Sequence, residues 1–411
     1  MSSCTTPLPL DSLRPLVFPV YVPTVARGIG MGAAAPVMTL RAVELGASAA
    51  VAGLAVALVG LGQVLGDIPA GQLVARLGER GSTIACTVVG LAGVLLCLLA
   101  PTVPLLCAGL LVVGLSNAVW GLAQMTFMAE SIAFGRRARA MSLFGGAMRL
   151  GFFAGPFLGA LAILGLGTRG GFAVQLVTFA LAGALMAALP LPGGTAPPVP
   201  APISLIGVTR LHHRILCTLG AGSLLMGAAR ASREVILPLW AHQIGIGAAT
   251  ASLLFGIGAA LELVFAYPAG HLMDRFGRLP VAVPSLAVLA VAYCAVPLTQ
   301  TTAALGVVAV VMGIGNGIGN GVIMTIGADV APAAIRAEFL AAWRLTHDGG
   351  AFAGPLLIGA LASAAPLALA AVSIGGVAAL GAAVMRHYLP RYVPWPPRPA
   401  PAETFEERVI R

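Results

Sequence analysis

Arg27, Asp67, Arg149, Arg230, Arg233, Glu234, Glu262, Arg344, His347 and Asp348 all sit inside long apolar stretches. Ionisable groups are costly in hydrocarbon, so they pair, face water or act on a solute. Three kinds of chemistry are open to them. A buried carboxylate can take up and release a proton, because burial and neighbouring charge govern its protonation. A guanidinium can hold a carboxylate or phosphate through a two-pronged hydrogen bond. Opposite charges one helical turn apart can neutralise each other, as Arg230 with Glu234 or Arg344 with Asp348 would. Glu262 is the first candidate for the proton, because it lies away from any helix end and has no basic partner in its own stretch. Asp348, Asp67 and Glu234 follow it. Arg27 and Arg149 have no acid nearby in the chain. They require a partner on another helix, water or a bound solute.

These groups are not accompanied by a nucleophile with its base, nor by a metal cluster, as an enzyme would require. The six cysteines, Cys4, Cys86, Cys97, Cys107, Cys217 and Cys294, show no CxxC spacing, and the adjacent His212 and His213 fall in a connecting segment. The chain is therefore expected to be no enzyme and to need no metal or cofactor other than a coupling proton.

Positioning such groups takes membrane helices. Of the 411 residues, 59% are hydrophobic and only 9% charged, against about 25% charged in soluble domains. A spanning helix needs about 20 mostly apolar residues. Twelve stretches qualify, at 16–40, 48–70, 82–101, 104–130, 141–165, 171–191, 214–240, 248–270, 281–298, 302–328, 339–362 and 365–387. They are continuous rather than alternating, which excludes a β-barrel. The expected fold class is an all-α integral membrane protein of twelve transmembrane helices.

The formal net charge is +9, and all of the basic residues counted as Lys or Arg are Arg. They gather in alternate loops: Arg76 and Arg80; Arg136, Arg137 and Arg139; Arg210 and Arg214; Arg275 and Arg278; Arg336. The opposite loops carry only Arg41 and Arg169. Positive loops stay in the cytoplasm, so both termini are expected there, in a multi-pass protein of the cell's inner (cytoplasmic) membrane. Basic residues dispersed in short loops do not make a nucleic-acid surface. The expected partners are the lipid bilayer and a small-molecule substrate, with no nucleic acid, for a monomer.

The chain also repeats itself. Pro69-Ala70-Gly71 returns 199 residues later as Pro268-Ala269-Gly270, and Phe153-Ala154-Gly155-Pro156 returns at the same offset as Phe352-Ala353-Gly354-Pro355. Gly114 and Asn117 return as Gly313 and Asn316, and Glu130 as Asp329. A constant offset means two copies of one unit, the usual build of secondary transporters. Residues 1–191 form one six-helix half and 214–388 the other. The Pro/Gly-rich stretch 192–213 is read as a cytoplasmic linker, and 389–411 as a cytoplasmic tail.

The segment Gly270-His271-Leu272-Met273-Asp274-Arg275-Phe276-Gly277-Arg278 resembles the signature loop of the major facilitator superfamily, with a weaker twin at Gly71, Leu73, Arg76, Gly78 and Arg80. The resemblance covers the whole chain: twelve spans, two halves and a central linker. It implies that Arg76 pairs with Glu130, and Arg275 with Asp329, latching the outward-open state. Asp274 is suited to capping a helix. The first copy has Ala75 where the family usually has Asp, leaving Asp67 as its substitute. Gly151, Gly155, Pro156 and Gly159 are similar to a helix-5 motif of drug and metabolite antiporters, with Ala160 in place of the last Gly. Small residues every fourth position also let helices approach closely.

In this family helices 1, 4, 7 and 10 line a central cavity, which would gather Arg27, Asn117, Trp120, Arg230, Arg233, Asn316 and Asn320. Helices 5 and 8 meet between the halves, so Arg149 and Glu262 are expected to pair. The expected activity is proton-coupled efflux of a small organic compound or drug by alternating access. The alternative is an organic-anion transporter, holding a carboxylate or phosphate on Arg27 and Arg230. A membrane receptor is disfavoured, because the chain leaves no room for a sensing domain.

Overall fold

The computed structural model describes residues 14–132, 134–189, 205–332 and 335–394. Its first half contains α1 (Val22–Glu44), then a helical run Ala49–Leu99 divided at Gly78 into α2 and α3. It continues with α4 (Val103–Ser131), α5 (Phe134–Leu166) and α6 (Arg169–Ala188). The second half contains α7 (His213–Gln243), α8 (Ala248–Phe276) and α9 (Leu279–Ala295). It ends with α10 (Thr302–Val330), α11 (Arg336–Ala364) and α12 (Leu367–Tyr392). Among the described residues, eleven segments are long and apolar enough to cross a membrane. The twelfth, α11, has 29 residues but carries Arg344, His347 and Asp348, which lower its hydropathy.

Four sequence expectations are adjusted. Spans 2 and 3 have no extended loop between them; Gly78 makes the turn with φ 70° and ψ 173°. Its repeat Gly277 turns the same way at φ 84° and ψ −176°. A side chain is strained there and glycine is not. Span 10 is not one helix but two, Thr302–Ile318 and Val322–Val330, separated at Gly321 with φ 79°. The linker contains a short helix, Leu205–Leu211, while 192–204 lies outside the described residues. The last helix runs on to Tyr392, past the expected start of the tail, of which 395–411 also lies outside the described residues.

The repeat governs packing as well as sequence. A methyl group added at Gly151 would collide with the Val25 carbonyl oxygen, and one at Gly155 with that of Ile29. At the same offset, Gly350 meets the Leu224 carbonyl and Gly354 that of Ala228. Gly114 meets the Val59 carbonyl, and Gly313 that of Gly258. Thus α1 lies backbone to backbone on α5, and α7 on α11. Gly159 continues the first contact against Ala33. Close helix packing engages these glycines on α5 and their counterparts on α11.

The two halves meet closely on the side away from the termini. There Thr39 Oγ1 donates to the Glu234 carbonyl at 3.0 Å. The rings of Phe152 and Phe255 lie 6.0 Å apart. Gly53 abuts the Pro355 carbonyl, and Gly359 that of Ala50.

Candidate functional site

Three adjoining cavities lie between the halves. The central one, about 280 Å³, is lined by Arg149, Arg230, Arg233, Glu234, Glu262, Asn316 and His347, among others. One of about 320 Å³ continues toward the terminus side past Arg149, Asn320, Arg344, His347 and Asp348. A smaller one of about 120 Å³ reaches the far side past Asn117, Gln63, Gln175 and Glu234. Arg149, Arg230 and His347 are shared by the two larger cavities, and Glu234 by the central and small ones. Volumes of this order suit a small organic solute.

Glu262 stands between two arginines. Arg230 Nη2 lies 3.3 Å from its Oε1 and Arg233 Nη2 3.1 Å from its Oε2. Arg230 also donates to the Asn316 carbonyl at 3.2 Å, and the Arg233 guanidinium lies 4.6 Å over the Phe255 ring. The anticipated Arg230–Glu234 and Arg149–Glu262 pairs are both replaced by this arrangement. Instead Arg149, on α5, donates to Asn320 Oδ1 at 2.6 Å, across the boundary between halves and into the break of α10. Glu234 is left with no hydrogen bond or ion pair to its carboxylate among the described residues.

The Arg344–Asp348 pair does form, at 3.1 Å, and His347 Nδ1 lies 3.4 Å from the same carboxylate. Arg344 also reaches Asp67 across the halves, at 3.8 Å. Asp67 therefore does not substitute in the first-half loop latch.

Arg27 does not join the cavities. It is 1% exposed, with its guanidinium 4.8 Å from the Trp120 ring and 4.2 Å from the Phe179 ring. Its Nη2 donates to Asn117 Oδ1 at 2.8 Å and to Ser116 Oγ at 3.2 Å. Trp120 is likewise sealed, 2% exposed and stacked on Phe144 at 5.7 Å. A sequence signal for this difference exists. At the repeat offset Arg27 corresponds to Met226 and Met31 to Arg230. Arginine and methionine have traded places one turn apart, about 6 Å along the helix.

At the loops, Asp329 is held by Arg278, not Arg275. The Arg278 Nε and Nη2 atoms donate to Asp329 at 2.7 and 3.2 Å. Gly277 reverses the chain after Arg275 and brings the next arginine to α10, while Arg275 lies against Phe276 at 5.2 Å. Asp274 is exposed near the end of α8 and caps nothing; position Arg278 precedes α9. Gly270 and Gly71 lie within their helices, and Arg76 is exposed. The Glu130 side chain falls outside the described residues, so the Arg76–Glu130 pair does too.

Two helical six-span halves closing on a polar chamber define a membrane transporter, not an enzyme. The sequence model of the Major Facilitator Superfamily matches the chain twice, over 23–224 and 219–411, and the chain belongs to that family. No curated protein sequence matches it. Among solved structures, the nucleoside transporter NupG aligns with TM-score 0.69 at 15% identity, over 89% of this chain and 97% of its own. A POT family transporter in complex with a thioalcohol-conjugated peptide aligns with TM-score 0.76 at 14% identity, over 92% and 97%. A D-xylose-proton symporter aligns with TM-score 0.67 at 17% identity, over 90% and 98%. At these identities the likeness is one of fold.

Proposed function

We propose that this transporter couples movement of a small organic solute to protons, and that Glu234 carries the proton. The observation behind the reading is the position of Glu234. It lines both the central and the far-side cavity, and no ion pair among the described residues fixes its charge. The charged groups sharing the central cavity with it are Arg149, Arg230, Arg233, Glu262 and His347. Glu262, the first choice on sequence grounds, is less suited, because two arginines already neutralise it. The cavity volumes of about 280 and 320 Å³ favour a small solute. A xylose-proton symporter among the structural neighbours is consistent with proton use.

The test is reconstitution into sealed vesicles with an imposed pH gradient and an internal pH dye, challenged with a broad metabolite and drug panel. At least one compound should move with protons. Glu234→Gln should abolish that proton movement while leaving solute exchange between equally loaded compartments intact. If no compound moves with protons, the reading fails; if Glu234→Gln leaves proton movement unchanged, the proton belongs to another residue.

A further inference from the structure

We infer that Arg149 is the recognition site for a carboxylate on the solute, so that the transported compound is a small organic monoanion. The inference rests on the transport reading above and adds the substrate class. It comes from the balance of charge around the chamber. Arg230 and Arg233 are held by Glu262. Arg344 is held by Asp348 and Asp67. Arg149 alone among these cavity arginines has an amide, Asn320, for its hydrogen-bond partner among the described residues. An amide oxygen satisfies one N–H of a group that has five.

Arg149 lines both larger cavities, so its remaining donors face space of solute size. A carboxylate there would accept two parallel N–H bonds, the pairing for which the guanidinium fork is shaped. Counted with Glu234 protonated, His347 neutral, and Asp67, Glu262 and Asp348 ionised, the four arginines Arg149, Arg230, Arg233 and Arg344 leave one positive charge for one anion. A neutral or cationic solute would leave that charge unmatched in a low-dielectric chamber, at a cost that rises as the chamber dries.

The site also reaches both halves. Arg149 belongs to α5, while Asn320 lies in the broken turn of α10, whose amide nitrogen is buried without a partner among the described residues. A carboxylate on Arg149 could therefore also accept from Asn320, drawing the halves together around the bound anion. This would make occupancy of the site favour closure over it, the differential affinity that alternating access requires.

The experiment uses the purified full chain and thermal-shift titrations with lactate, benzoate and phenylacetate, each beside its neutral amide. At least one carboxylate should raise the melting temperature where its amide does not. Arg149→Gln should weaken that apparent affinity about tenfold or more, the usual effect of losing a charge-assisted hydrogen bond. Arg149→Lys, which keeps the charge and loses the fork, should fall between the two, and serves if the Gln variant does not fold. The inference is overturned if no carboxylate outperforms its amide, or if the Lys and Gln variants both respond as the wild type does. Amides that bind equally well and move with protons in vesicles would sink the anion inference and leave the transport reading standing.

Discussion

Arg27 in the first half, and Arg230 with Arg233 in the second, sit on repeat-related helices yet are held by different means. Arg27 is enclosed by two aromatic rings and neutral oxygen acceptors, with no acid paired to it among the described residues. Arg230 and Arg233 share Glu262 and face the chamber. Ring quadrupoles stabilise a cation without bringing in a second charge, so the cage holds Arg27 away from the cavities without an acid. An ion pair beside a cavity can be rearranged by a solute or a proton. Repeat-related helices, with their arginines one turn apart in register, thus use an aromatic cage in one half and an ion pair open to the chamber in the other.

The comparison can be broken most forcefully at Glu262. Replacing it by Gln leaves two neighbouring guanidinium groups without their anion, and should lower stability by about 3 kcal/mol, read from unfolding in detergent. A loss no larger than that of a surface substitution would mean the second half does not depend on its acid. Next, Trp120→Leu should cost about 2 kcal/mol, since it removes one face of the Arg27 cage and a desolvated cation–π contact. Phe255→Leu, the matching change beside Arg233, should cost only about 1 kcal/mol, because Glu262 still holds that arginine. Equal losses would erase the distinction between caged and paired arginines. The smallest effect belongs to the loops. Arg278→Ala should cost about 0.5 kcal/mol and Arg275→Ala less, a ranking that a side-by-side melting series would check.

Much of this organisation was legible in the chain. The offset of 199 located both halves, and it extends to individual glycine-to-carbonyl contacts such as Gly151 on Val25 and Gly350 on Leu224. Long apolar runs marked the spans, because length and hydropathy are properties of one segment at a time. What escaped depends on how helices are rotated against one another. Sequence neighbours favoured Arg230 with Glu234, but one residue turns a helix by about 100°, and tertiary packing brought Glu262 to Arg230 instead. Arg149 was set against Glu262 by the helices' expected adjacency, whereas the break at Gly321 carried Asn320 to it. The Gly-Asn-Gly pattern at 319–321 held that signal, read as a packing face. The turn at Gly277 likewise decided between Arg275 and Arg278.

The paired glycine contacts have a mechanical consequence. Where α1 meets α5 and α7 meets α11, main chain rests on main chain with no side chain to act as a cushion. Each half is therefore stiff in the direction that squeezes those helices together. Between the halves main chain also meets main chain at Gly53 and Gly359, but there phenyl rings, a threonine bond and two arginine side chains join the contact. Rings can roll and arginines can extend while keeping their partners. Compliance lies in those side-chain contacts of the boundary, away from Gly53 and Gly359, and stiffness behind them. A displacement of an ångström at the chamber would be passed on as rotation of an entire half, amplified with distance as by a lever, rather than absorbed nearby.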